Sequence, residues 1–380
     1  MTNEVLSLDG VGPMPVHRPA TVPEAAALVK EHAAIFPVGG RTALSVGMPP
    51  SKLGIALDTR SLNRLIDYPH DDMTITVEAG LTISTLTNIL ADKGQTLPVD
   101  HAIPEQATIG GAVAVNTAGP RRLLNGTLRD WLIGISFIAD NGDVVSGGGR
   151  VVKNVAGYDL MKLHLGARGQ FGIITQLTFK VKPRPESMAI ASWGIRHDEL
   201  ASTLDSLHSS PARPVGVDLL NRTAAKMLGL PADSAWTVVS LFEEKRVTLD
   251  WQIETLRKDL NCHPAIDRDD AASKRLTALT DFPCTTGRAW SWRFAVRPSD
   301  VAAILPQDSD DLIHAHALTG QIWRHTSHDH RPYPSATAWT CPRESKTPEI
   351  IFGPTRSDSA LRQRIKATLD PAQRFNPGRV

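Results

Sequence analysis

The chain has 380 residues, 41% of them hydrophobic, with 41 Lys and Arg against 40 Asp and Glu and a formal net charge of +1. That length suffices for two or three packed domains, and the matched charges create no long-range field for holding a polyanion, so disorder and nucleic-acid binding are excluded. Nowhere do about 18 apolar residues run together, and the first residues, MTNEVLSLDGVGPMPVHRP, carry acids and prolines where a secretory leader needs an apolar run; a cytoplasmic chain without membrane insertion is expected. Thr21-Val22-Pro23-Glu24 has the pattern of a capping box, which predicts a helix from there through about His32. Strands are predicted at Ala34–Val38, Gly54–Asp58 and Thr74–Gly80. Between Thr82 and Lys93 the apolar residues Ile83, Leu86, Ile89 and Leu90 share one face before Gly94, the pattern of a helix packed on a sheet.

Asp140-Asn141-Gly142 is a turn sequence, and the runs Trp131–Ala139 and Asp143–Ser146 beside it predict a β-hairpin. A further strand is expected at Gly172–Val181, and Pro183 and Pro185 then mark a domain boundary. Beyond it, strands at Trp236–Phe242 and Ser291–Arg297 and a helix at Arg246–Leu260 suggest a small α+β unit. The tail from about Glu349 carries a helix at Asp358–Leu369. Neither an internal repeat nor a low-complexity tract is apparent. The three cysteines, Cys262, Cys284 and Cys341, include no C-x-x-C pair, whereas an iron–sulfur cluster needs about four thiolates; any such cluster would have to sit in another subunit.

Two loops carry the chemistry. In Pro37–Leu44, PVGGRTAL, Gly39 and Gly40 permit turned backbone, and the N–H groups of such a turn form an anion-binding concavity to which Arg41 adds charge and Thr42 a hydroxyl. A plain connection between strands is the simpler alternative, and the loop matches neither a P-loop nor a dinucleotide fingerprint. In the second stretch, Thr108-Ile109-Gly110-Gly111 opens a run of small and β-branched residues to Asn116, which a ring system or another backbone can approach closely. A tightly packed Ala/Gly core helix would do the same, but it leaves unexplained the polar crowd of Asn116, Arg121, Arg122, Asn125, Thr127, Arg129 and Asp130.

Taken in order, PVGGRTAL, ATIGGAVAVNTAGPRRLLNGTLRDWLIG and GARGQFGIIT resemble the FAD-binding domain of the vanillyl-alcohol oxidase superfamily, also called the PCMH-type FAD domain. The segment GGGRVVKNVAGYDLMK from Gly147 is similar to the GlcE family of bacterial glycolate oxidase subunits, and DPAQRFNPGRV from Asp370 to the end of flavin-dependent 2-hydroxy-acid dehydrogenases. The resemblance implies an α+β fold with a two-lobed FAD-binding domain over 1–184 (lobes about 1–72 and 73–184), a small α+β cap over 185–345, and a segment 346–380 that returns to the FAD domain. It implies FAD as cofactor, held by Val38, Gly39, Gly40, Arg41, Thr42, Ala43 and Leu44, by Thr108, Ile109, Gly110, Gly111, Ala114, Asn116, Gly119, Gly126, Thr127 and Asp130, and by Lys153, Asn154, Ile174 and Asn376. Arg41 stands where members with a covalent flavin carry a histidine, and no cysteine precedes Cys262, so the FAD is expected to be non-covalent.

Oxidation of a 2-hydroxy acid needs a base for the hydroxyl proton and a cation for the carboxylate. His314, His316, His325, His328 and His330 are candidates for the base, with His316 and His325 foremost, and Lys153 is a candidate to stabilise reduced flavin; the alternative for that segment is that Asp159 caps a helix and Lys153 lies on the surface. His314 and His316 share one face of a strand and mimic metal-ligand spacing, but packed histidines do so too, and no metal site is assigned. Metal-using relatives carry an H-x-G-D-G-N-x-H block where this chain has IHAHALTGQIWRH. That departure points to a partner role beside a catalytic flavoprotein subunit and an iron–sulfur subunit, with a stand-alone hydroxy-acid dehydrogenase or a structural subunit with weak FAD binding as the alternatives.

Overall fold

A computed structural model describes residues 4–149, 158–354 and 357–379. The described chain divides into two compact units, one of residues 1–117, 127–184 and 343–380, the other of residues 118–126 and 185–342.

Unit 1 holds two main sheets and a two-stranded ribbon that pairs Gln95–Thr96 with Lys182–Pro183. The first orders its strands Val5–Leu8, Val11–His17, Ile55–Asp58, Ile35–Val38. Its first pair is antiparallel and the remaining pairings are parallel. The crossover is the helix Val22–Glu31, which starts where expected because Thr21 Oγ1 accepts from the Glu24 amide. The return bond differs from a strict capping box, since the Glu24 carboxylate accepts from the Ala20 amide. Ala25 and Val29 turn inward onto Ile35, Ile55 and Leu57, leaving the Lys30 and Glu31 side outside.

The second sheet of unit 1 is antiparallel throughout, in the order Leu65–Asp67, Thr74–Glu78, Ile173–Lys180, Leu132–Ile138, Val144–Gly148. The helices Ile83–Ala91 and Ile109–Val115 cover it, burying Leu86, Leu90, Ile109 and Val113 against Ile75, Val77, Leu177 and Phe179. Trp131, expected as the first residue of a strand, instead closes the short helix Leu128–Trp131 because Thr127 and Asp130 form a capping box ahead of it.

The stretch 370–379 is a clasp on the first sheet. Phe375 pairs with Ile35 and is wholly buried, a side chain whose removal from water contributes about 1.5–3 kcal/mol. Asp370, also buried, accepts from the Arg374 and Phe375 amides at 2.8 and 3.0 Å and from Lys366 Nζ.

Unit 2 is built on one eight-stranded antiparallel sheet, in the order Ala265–Arg268, Ser187–Ile195, Trp236–Glu244, Gly216–Asn221, Leu312–His316, Gln321–Thr326, Trp290–Ala295, Thr337–Thr340. Helices Leu200–Ser209, Arg246–Leu260 and Asp269–Thr285 accompany it, and Leu276, Leu279 and Phe282 of the last pack on Leu220, Val239, Leu241 and Leu312. The short stretch 118–126 belongs here because Leu124 donates its amide to the Val215 carbonyl, and Gly216 lies so close to Pro120 that a Cβ would meet its carbonyl at 2.1 Å.

Candidate functional site

In unit 1 the two glycine-bearing loops touch. A Cβ on Gly39 would lie 2.2 Å from Thr108 Oγ1, one on Gly40 would lie 1.8 Å from the Gln106 carbonyl, and one on Gly110 would lie 2.7 Å from Ala79 Cβ. Only bare backbone closes to such distances. Thr108 Oγ1 accepts from the Gly111 amide to start the helix Ile109–Val115, and Asn116 ends it in the left-handed region at φ 52°. The Asn116 Oδ1 atom is buried without a donor. A backbone cradle at the start of this helix and an orphaned acceptor at its far end suit a ligand that carries both anionic groups and N–H or O–H donors, and FAD has both.

Arg41 takes the left-handed conformation at φ 63° and directs its guanidinium away from the loop backbone, 3.3 Å from Asp58 Oδ2 and 2.6 Å from Glu4 Oε1. Arg18 and Arg60 converge on the same buried Asp58. Burial would raise that carboxyl, but the hydrogen bonds and charge of Arg60, with Arg18, hold it below the usual carboxylate range. The Arg41 charge expected for a pyrophosphate is therefore neutralised by acids, and the loop offers its backbone instead. Thr42, Ala43 and Leu44 follow it, and the clasp holds this end: Arg379 donates to the Leu44 and Val46 carbonyls at 2.6 and 2.8 Å, while buried Lys346 reaches Asp9 and the Ser45 and Gly47 carbonyls.

Other expected ligands have protein partners. Asp130 accepts from the Thr127 amide at 2.8 Å within the capping box, Gly126 terminates a short helical turn, and the Gly119 carbonyl accepts from the Arg122 amide. Asn376 donates from Nδ2 to the Arg168 carbonyl at 2.6 Å, so its side chain braces the clasp. Val38 and Ile174 are buried strand residues, and Ala114 lies on the helix behind Gly110 and Gly111. Lys153 and Asn154 lie outside the described residues. Asp159 caps the helix Leu160–His164, accepting from the Lys162 amide and ion-pairing with the Lys162 ammonium. His164 ends that helix against the Phe137 ring, centroids 4.0 Å apart, and burial pushes its imidazole down to about 4.

In unit 2 the strand register gathers the histidines. Asp218, His316 and Gln321 are successive cross-strand partners, as are His314, Trp323 and Arg293, and His325 pairs with Ser291; partners on one rung share a face, and alternate residues repeat it. Asp218, fully buried, lies 2.8 Å from His314 Nε2 and 2.7 Å from His316 Nδ1. Burial would raise its carboxyl, yet the charges and hydrogen bonds of His316 and His314 hold it well below the usual range. A carboxylate accepting from His316 Nδ1–H sets the tautomer that leaves Nε2 as proton acceptor, the arrangement of an oriented general base. His316 keeps 4% exposure where His314 and His325 have none.

His325 is a different case from the one expected. Its Nδ1 meets Ser291 Oγ at 2.8 Å, Phe282 and Trp323 flank the ring, and burial pushes its imidazole down to about 3. A group so enclosed and so weakly basic is a poor acceptor for a substrate proton. His328 and His330 lie exposed beyond the strand. Asp218, with His314 and His316, is the group among the described residues whose ligand atoms lie close enough to hold a metal ion, but the short bonds to both rings satisfy it as a hydrogen-bonded triad. The pairing of Asp218 with His316 was not visible in the sequence; its one local signal is a lone acid within the apolar run VGVDLL.

Residues 13–148 match the family described as FAD binding domain. The chain is 29% identical over 254 residues to glycolate oxidase subunit GlcD of Bacillus subtilis, covering 65% of this chain and 53% of that protein. It is 37% identical over 150 residues to glycolate oxidase subunit GlcE of Escherichia coli, covering 39% and 42% respectively. The chain thus spans about half, or less, of the length of these curated relatives. Among solved structures, p-cresol methylhydroxylase with substrate bound superposes with a TM-score of 0.73 at 16% identity, over 99% of this chain and 91% of that one, a likeness of fold. No described helix is long and apolar enough to cross a membrane. With the glycine cradle in place and the family match spanning both loops, residues 13–148 form an FAD-binding domain.

Proposed function

We propose that the chain is an FAD-binding subunit of a glycolate oxidase-type complex that oxidises, or relays electrons from, a 2-hydroxy acid such as glycolate. The observation that carries this reading is the contact of Gly39 and Gly40 with the Gln106–Thr108 segment. The likeness to two proteins named as glycolate oxidase subunits supports the substrate class and a complex with a catalytic flavoprotein and an iron–sulfur subunit. FAD, when bound, supplies the acceptor for a hydride. On this reading the two loops hold the cofactor non-covalently by their backbone, Arg41 fixes the first loop through Asp58, and cytoplasmic assembly follows.

One observation favours a second reading, a self-sufficient dehydrogenase: the Asp218–His316 pair has the geometry of a base for the substrate hydroxyl. Purification from the native source with identification of co-eluting chains, followed by anaerobic titration with glycolate and D-lactate, tests both. Bleaching of the flavin band only in the presence of co-purifying subunits supports the first reading, and bleaching of the isolated chain supports the second. A chain that purifies without flavin and takes up none would refute both.

A further inference from the structure

Among the described residues, two guanidinium groups of unit 2 stand together without an acid. Arg293 lies over the rings of Trp323 and Trp339, 5.7 and 4.9 Å from their centroids, and among the described residues no carboxylate reaches it. Arg122 donates from Nη1 to the neutral Gln321 Oε1 at 2.8 Å and likewise has no acidic partner. Its neighbour Arg121 shows the ordinary arrangement, ion-pairing with Glu243 at 2.7 Å. Gln321 is 8% exposed, and its Nε2 donor is buried with no acceptor.

These groups share one place. Ala295 pairs with Gln321 and Arg293 with Trp323, so Arg293 and Gln321 project from the same face one step apart, next to His316 on the adjoining strand. Burial, and then the nearby charge of Arg122, push the Arg293 guanidinium down to about 10. Two like charges and an orphaned amide donor are unfavourable unless an anion completes them. The aromatic faces hold the Arg293 fork in a fixed plane, which suits paired contacts to a carboxylate.

We propose that Arg293, Arg122 and the Gln321 amide form a carboxylate-binding site, and that it holds the carboxyl group of the 2-hydroxy acid next to His316. The identity of the ligand as a 2-hydroxy acid rests on the proposed function; the existence of an anion site rests only on this cluster. Arg293 and Arg122 are then the residues that select acids over neutral alcohols.

The test is calorimetric titration of the flavin-loaded full chain with oxalate, a carboxylate without a hydroxyl to oxidise. Saturable binding is expected, weakened roughly 10- to 100-fold in Arg293→Gln and in Arg122→Gln, the loss of a charge-assisted bond. Arg293→Lys, which keeps charge but not the planar fork, should fall between. Thermal melts matched to the unsubstituted chain certify that the variants are folded. Absence of oxalate binding in the unsubstituted chain, or an affinity in both glutamine variants equal to that of the unsubstituted chain, would overturn the site. The two proposals separate cleanly: oxalate binding lost in Arg293→Gln while no hydroxy acid bleaches the flavin refutes the function alone, whereas bleaching by glycolate with unaltered oxalate affinity in the variants refutes the site alone.

Discussion

Replacing His325 with Gln should remove a defined part of the protein's acid sensitivity. The ring is fully buried, its Nε2 has no partner, and its imidazole is held at about 3 in place of the ordinary 6.5. In the unfolded chain it regains its ordinary basicity, so between those two values the unfolded state binds a proton that the folded state refuses. Stability therefore falls as pH falls through the range below 6.5. At about 1.36 kcal/mol per pKa unit, this one group withdraws roughly 2 kcal/mol between pH 7 and 5 and roughly 4 kcal/mol by pH 3. Urea unfolding at pH 7, 6 and 5, followed by tryptophan fluorescence, reads it directly, because Trp323 stacks on His325 with ring planes 2° apart. The loss of unfolding free energy from pH 7 to 5 should be about 2 kcal/mol smaller in His325→Gln. Equal losses within about 0.5 kcal/mol in the two proteins would show that the ring is not held neutral by burial, and the reasoning would fail.

Gly40→Ala drives a methyl group into the Gln106 carbonyl and should lower FAD affinity by tenfold or more, equivalent to about 1.4 kcal/mol, measured by fluorescence titration of the apoprotein. Asp370→Ala strands two backbone amides and leaves the Lys366 ammonium with only the Gln170 and Phe375 carbonyls, and should cost about 3–5 kcal/mol in urea unfolding, with Asp370→Asn milder. Where the isolated chain is bleached by a hydroxy acid, His316→Gln should slow the anaerobic bleaching step roughly 100- to 10,000-fold, and Asp218→Asn should slow it as well. Acid precipitation should leave the flavin in the supernatant, as checked by its fluorescence.

Where local chemistry governed the outcome, the sequence was readable. The helix Val22–Glu31 follows from Thr21 and Glu24, the helix Arg246–Leu260 has the limits expected of it, and the strand Ile35–Val38 lies within Ala34–Val38. Strands Val5–Leu8 and Val11–His17 went unread because Pro13 and Pro15 break the apolar alternation; both prolines precede Val16 and His17, where Val11–His17 pairs with Ile55–Asp58. The glycine loops were legible as backbone sites, but nothing in PVGGRTAL says that the Arg41 side chain turns to Asp58, 17 positions on. The rung linking Asp218 to His316 spans 98 positions, and Arg122 lies 199 from Gln321; such pairings are set by strand order, which no local pattern encodes.

Unit 1 is assembled from both sides of an insertion, and this fixes the order of events during synthesis. Arg379 latches onto Leu44 across 335 positions, and Phe375 docks beside Ile35 only after the whole of 185–342 has been translated. At about 5–20 residues per second the ribosome needs roughly 8–30 s to make that intervening stretch. Throughout the delay the strand Ile35–Val38 presents an unfinished apolar margin, and the turn at Gly39 and Gly40 has no anchor downstream. Nascent chains should accordingly be vulnerable to aggregation in this interval, and flavin capture should be a late step that completes maturation.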